Sequence, residues 1–192
     1  MKLKTRRGLV IAISAGVLLI GVTAYAAVTV ILAVGTIPDS ELFEGPATVT
    51  VRTLTISPGE SLAWHYHPGY AYNAVKSGTL TVEDGCGGEE KLTPGQAFEE
   101  MDGRVHRAKN LSATEDVVVY NTFIVPEGKP TTRNIPNNER RCGPPIDVNE
   151  CQDDGWLKFT HPISFTNQGQ CIKYVRHRPR NVVTVPEDPL AP

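Results

Sequence analysis

Apolar and polar positions divide the chain into three unlike parts. Residues 8–38 contain no charged side chain at all. From residue 48 to 125 the apolar positions fall into short runs, many of them alternating with polar ones, and each run is punctuated by glycine or proline. Beyond Glu127 the periodicity weakens and proline, asparagine and arginine become frequent. The middle part reads as strands. Runs are expected over residues 48–56, 62–67, 72–82 (interrupted at Ser77-Gly78), 96–100, 104–110 and 117–125. The turns between them lie at Ser57-Pro58-Gly59, Asp84-Gly85 and Thr93-Pro94-Gly95, and Pro126 closes the last strand. Within 48–56 the apolar phase breaks, with Val49 and Val51 on odd positions and Leu54 and Ile56 on even ones, which predicts a bulge or a crossing between sheets. No amphipathic helix and no internal repeat is visible. The pattern is that of an all-β barrel or sandwich.

The uncharged N-terminal run is long. As a helix, its 30 residues from Gly8 to Ile37 would extend about 45 Å at 1.5 Å per residue, against the roughly 20 residues a bilayer core requires. Lys2, Lys4, Arg6 and Arg7 precede it, so the flank stays cytoplasmic and the body is exported. Either a signal anchor or a signal peptide cleaved near Ala24-Tyr25-Ala26 satisfies this pattern. Both give an extracytoplasmic body, membrane-anchored or secreted. The domain reading is therefore residues 1–38 as basic flank and signal segment, 39–130 as barrel, and 131–192 as a C-terminal extension.

Charge narrows the partners. The net charge is −2, and without the four N-terminal positives the body carries 15 basic against 21 acidic residues, or −6. Such a body gives no reason to expect nucleic acid. A membrane contact through the N-terminal segment, a small-molecule ligand and a homodimer are the partners compatible with it. Four cysteines, Cys86, Cys142, Cys151 and Cys171, all lie on the exported side, where an even count points to disulfides. Spacing alone leaves three pairings open.

The chemistry concentrates in three histidines. His65 and His67 are two residues apart, so on a strand both imidazoles project from one face. His106 lies 39 positions beyond His67 and must arrive from another strand. Around them stand Gly59, His65, His67 and Gly78, then Gly95, Gly103, His106 and Asn110. In this joint spacing the chain resembles the cupins, whose two motifs read G-x5-H-x-H-x3-E-x6-G and G-x5-P-x-G-x2-H-x3-N. Two positions depart: Ala71 stands where the motif has glutamate, and Met101 where it has proline. The resemblance spans roughly residues 47–126. It implies a double-stranded β-barrel (jelly roll) with the histidines pointing inward, preceded here by the signal or transmembrane helix and followed by a disulfide-stapled tail. It also implies the pairings Cys86–Cys142 and Cys151–Cys171, because exported cupins often carry one cysteine in the hairpin loop and another just after the barrel. The second pair would staple a hairpin carrying Trp156 and Phe165.

Three imidazoles suit a divalent ion such as iron, zinc, manganese, copper or nickel. They leave positions open for a ligand. With no carboxylate at position 71, such a site would keep the ion's full charge and favour anions. Tyr70, Ala71 and Tyr72 are the candidate lining residues of the vacated position. Glu99 and Glu100 read as solvated, and His161 and His177 as structural. A metal-binding barrel, an iron-dependent dioxygenase acting on a small organic acid or phenol, and a metal-free ligand-binding barrel all follow from one fold. No Ser-His-Asp or paired-carboxylate pattern assigns catalytic residues.

Overall fold

A computed structural model describes residues 27–177. Ten strands run in chain order: β1 (Val28–Ile37), β2 (Ala47–Ile56), β3 (His65–Tyr66), β4 (Tyr70–Ser77), β5 (Leu80–Asp84), β6 (Glu89–Leu92), β7 (Ala97–Glu100), β8 (His106–Asn110), β9 (Val117–Pro126) and β10 (Arg133–Asn134). They form two five-stranded antiparallel sheets, β1-β2-β9-β4-β7 and β10-β3-β8-β5-β6. The inner faces share a core in which Leu54, Ile56, Val75, Val117 and Val119 of the first sheet meet Leu80, Leu92 and Ala108 of the second. β9 shows most plainly why these segments are strands. Its buried residues are Val117, Val119, Asn121, Phe123 and Val125, a strict alternation.

The motif glycines and Asn110 do structural work. Asn110 is fully buried on β8. Its amide donates to the carbonyls of Ile56 and Glu115 at 2.9 and 2.7 Å, and its oxygen accepts from the Ser112 amide at 2.9 Å. It thereby ties the β8–β9 loop to the end of β2. Gly78 has φ +75°, and a Cβ there would lie 2.5 Å from the Asp116 carbonyl oxygen. Only glycine allows that approach without movement.

Three sequence expectations change. Residues 28–37 are a strand of the first sheet, not part of a helix, so the sheet begins inside the segment assigned to residues 1–38. The signal helix and its Ala24-Tyr25-Ala26 site otherwise lie outside the described residues. Among the described residues no helix is long and apolar enough to cross a membrane. The phase break in 48–56 does not interrupt β2, whose ladder with β9 is continuous. The irregularity sits opposite, in β1, where Ile31 pairs with Arg52 and Ala33 with Val51, leaving Leu32 as the extra residue.

The third change is in the tail. Cys86–Cys142 and Cys151–Cys171 are both bonded, with Cα separations of 4.3 and 5.7 Å. The second pair, however, links a 3-10 turn (Val148–Cys151) to a helix, α1 (Gln168–His177), rather than closing a hairpin. Cys171 is the one fully buried residue of α1, and Ile172, Tyr174 and Val175 pack half-buried beside it on the tail core, an apolar stripe little more than one turn long. Phe159, Phe165 and the two half-cystines of the pair form a small core together with Cys142, and Cys86 packs against it. Arg104 fastens this module to the barrel through Glu150, at 3.0 and 3.3 Å, and through the Pro144 carbonyl at 2.9 Å.

His161 sits at the seam between tail and barrel, 6% exposed, its ring 4.9 Å from that of Tyr66. Its Nε2 is buried with no hydrogen-bond partner. Burial, helped by the nearby Arg141, pushes its pKa down to about 4 from 6.5. The unfolded chain therefore binds a proton that the folded chain refuses between pH 6.5 and 4, and stability falls as pH drops through that window. At 1.36 kcal/mol per unit the full effect is about 3 kcal/mol. Chemical denaturation of the wild type and His161→Phe at pH 7 and pH 4.5 should show a smaller acid loss in the variant. Equal losses would mean that His161 is not the group being protonated.

Candidate metal centre

The three motif histidines arrive by different routes at one place. His65 and His106 are direct cross-strand partners in the β3–β8 pair. His67 follows β3, and its carbonyl accepts a 2.8 Å bond from the amide of Gly103 in the turn before β8. The side chains are 6%, 2% and 4% exposed for His65, His67 and His106. Ring centroids lie 4.4 Å apart for His65–His106, 4.9 Å for His67–His106 and 5.1 Å for His65–His67. Their possible ligand atoms all fall within 4.8 Å of one another.

Each imidazole is oriented by the backbone. His65 Nδ1 is 2.7 Å from the Ala63 carbonyl oxygen, His67 Nδ1 is 2.5 Å from that of Thr131, and His106 Nδ1 is 2.9 Å from that of Arg104. A carbonyl only accepts, so each Nδ1 carries the proton and each Nε2 keeps its lone pair. This is the arrangement by which proteins fix ligating histidines. Thr131 belongs to the segment after the barrel, which β10 stitches back onto β3 through the pairs Arg133–Tyr66 and Asn134–His65. The extension from residue 131 therefore helps build the site.

A fourth group stands with the histidines. Glu100, expected in solvent, has a side chain only 12% exposed. Its Oε2 lies 3.1 Å from His67 Nε2 and its Oε1 lies 2.9 Å from His106 Nε2. Yet His106 Nε2 has no aligned hydrogen bond. The signal was present in β7, where Phe98, the only large apolar residue, marks the inward face and Glu100 is two residues on. The partly buried positions are Phe98 and Glu100, while Ala97 and Glu99 are exposed.

The electrostatics follow from crowding charge inside a barrel. Burial, then the neighbouring His106 and His67, pushes His65 down to about 3. Burial also lowers His67, against the pull of Glu100. At His106 burial works in the same direction, but the Glu100 charge outweighs it and the net shift is upward. Burial opposes ionisation of Glu100, and contact with His106 and His67 outweighs that and holds the carboxyl well below its usual range. The result is an ionised carboxylate beside imidazole nitrogens whose lone pairs face it. Acceptors at 2.9–3.1 Å repel unless a cation sits among them, either a proton or a metal ion.

Behind Glu100 runs a polar chain. Asn73 Nδ2 donates to Glu100 Oε2 at 3.0 Å, Asn121 Nδ2 donates to Asn73 Oδ1 at 2.7 Å, and Arg52 Nε donates to Asn121 Oδ1 at 3.2 Å. The Arg52 guanidinium also lies 4.4 Å from the centre of the Phe123 ring. These residues, with His65 and His67, line a cavity of about 30 Å³, enough for one or two waters.

The other expected lining residues are placed differently. Ala71 is fully buried and faces inward on β4, packed with Phe123 and Val125. Tyr72 is 45% exposed, and Tyr70 shares its face of β4, where its ring lies 6.0 Å from that of Phe43. Neither tyrosine lines the cavity. The expectation of an uncompensated metal charge is corrected as well, since Glu100 brings a negative charge that position 71 lacks.

Residues 52–125 match the family profile described as "Cupin domain". No curated protein matches the sequence at a significant level. Among solved structures the chain is similar to a cupin superfamily protein from Desulfitobacterium hafniense, at 12% identity, TM-score 0.41, covering 52% of this chain and 78% of that one. It is similar also to a double-stranded beta-helix protein from Klebsiella pneumoniae, at 25% identity and TM-score 0.40, covering 45% and 73%. A third is a cupin domain from Bordetella pertussis, at 24% identity and TM-score 0.39, covering 51% and 92%. The profile match spans β3 to β8, half of β2 and nearly all of β9, and it encloses all three histidines: residues 52–125 match a cupin domain.

Proposed function

We propose that this protein is an exported cupin that binds one divalent metal ion through His65, His67 and His106. The observation that carries the reading is the shared tautomer: three buried imidazoles whose Nδ1 protons are all engaged by backbone carbonyls, leaving three Nε2 lone pairs in one cluster. Histidines of a purely structural core satisfy both nitrogens, and here a buried Nε2 is left without an aligned partner. A bound ion would act as a Lewis acid toward one small ligand. The chain's own residues would orient that ligand and exclude bulk water, and the cavity volume favours a water-sized ligand over an aromatic one. Two disulfides support an oxidising, extracytoplasmic location.

Metal analysis of the purified full chain tests the proposal, with about one equivalent of a single transition metal expected. Oxygen-uptake screening with small organic acids and phenols then separates the two metal-dependent readings. Substrate-dependent uptake would assign the iron-dependent dioxygenase, and bound metal without turnover the binding module. A chain that neither retains nor takes up metal would leave the metal-free barrel.

A further inference from the structure

Building on that metal-binding reading, we propose that Glu100 on β7 is the site's carboxylate ligand, standing in from the neighbouring strand for the glutamate that position 71 lacks. Ala71 and Glu100 are direct partners in the antiparallel β4–β7 register. Both face the interior, and partners of this kind have Cβ atoms about 4.5–5.5 Å apart. A carboxylate carried by either residue reaches the same part of the cavity. Two further observations support the assignment. Around an ion with bonds of about 2.1 Å, ligand atoms at right angles are separated by about 3.0 Å. The Glu100 oxygens lie 3.1 and 2.9 Å from His67 Nε2 and His106 Nε2, the spacing of neighbouring ligands. The carboxylate is also held in place from behind, because Asn73 donates to it and Asn121 fixes Asn73 in turn. Alanine at 71 is then a necessity of the arrangement, since glutamates at both positions would put two like charges directly opposite each other.

The test exchanges the two residues. Cobalt(II) titrations of the full chain, followed by visible absorption, would compare wild type, Glu100→Ala, Glu100→Gln, Ala71→Glu/Glu100→Ala and His106→Ala. Loss of Glu100 should weaken cobalt binding about 100-fold and alter the ligand-field bands, an effect at the upper end of that seen for groups that only orient ligands. Moving the carboxylate across the strand pair in the double variant should recover most of the affinity and the wild-type bands. Cobalt bound equally well by wild type and both single Glu100 variants, and lost in His106→Ala, would overturn this inference while leaving the three-histidine reading intact. No binding by wild type would overturn both. A folded double variant with no recovery would contradict the stand-in relationship. Should either alanine-containing variant fail to fold, Glu100→Gln decides alone, because it keeps the side chain's shape and removes its charge.

Discussion

His106→Ala is expected to abolish stoichiometric metal binding and to destabilise the metal-free protein as well. Losing one imidazole of the cluster should weaken binding by roughly three orders of magnitude, or about 4 kcal/mol. The stability loss has a separate origin. In the metal-free chain the Glu100 carboxylate lies 2.9 Å from His106 Nε2 and raises its proton affinity, so a proton taken up there would make the two a buried ion pair. Removing one partner of such a pair leaves an uncompensated charge and costs about 3–5 kcal/mol. The double variant His106→Ala/Glu100→Ala should therefore be more stable than His106→Ala alone, though it still binds no metal. Thermal unfolding of the four proteins without metal would measure this. Additive losses would show that Glu100 and His106 are not coupled.

Removal of the Cys86–Cys142 bond, through a double change to serine, is expected to have the other large effect. This bond closes a separation of 56 residues, which in the chain-entropy picture is worth about 4 kcal/mol. It also anchors the strand β10 region. Within the loop it closes lie Thr131, which accepts from His67, and Asn138, whose Oδ1 accepts from the Trp64 amide at 2.6 Å. Loss of the bond should thus lower both unfolding temperature and metal affinity. The Cys151–Cys171 bond spans only 20 residues, and the loop it closes holds neither Thr131 nor Asn138. Its removal should cost about 3 kcal/mol and leave metal affinity unchanged. Equal effects of the two changes on metal affinity would contradict the placement of Thr131 as a support of the site.

The strands and the histidine cluster were legible because each depended on a short-range rule. Alternation in β9 states which residues face in, and the His65-x-His67 spacing states that two imidazoles share a side. What could not be read depended on pairings between distant segments. Phe98, two residues before it, marks Glu100 as inward-facing, but its carboxylate joins the histidines because β7 lies beside β4, a pairing no local pattern contains. β1 was obscured for a different reason. A run such as Val28-Thr29-Val30-Ile31-Leu32-Ala33-Val34 has only Thr29 as a polar position, too few to report a period, so helix and strand are equally compatible with it. The tail helix α1 was missed because its apolar stripe, Cys171, Ile172, Tyr174 and Val175, covers little more than one turn.

Location of the metal in a crystal of the loaded protein tests the central claim most directly. Diffraction collected on either side of the absorption edge of the bound ion should give one anomalous peak per chain. The peak should lie about 2.0–2.2 Å from the Nε2 atoms of His65, His67 and His106, with a Glu100 oxygen at a similar distance. A peak elsewhere on the chain, or no peak in a protein that analysis shows to be loaded, would contradict it.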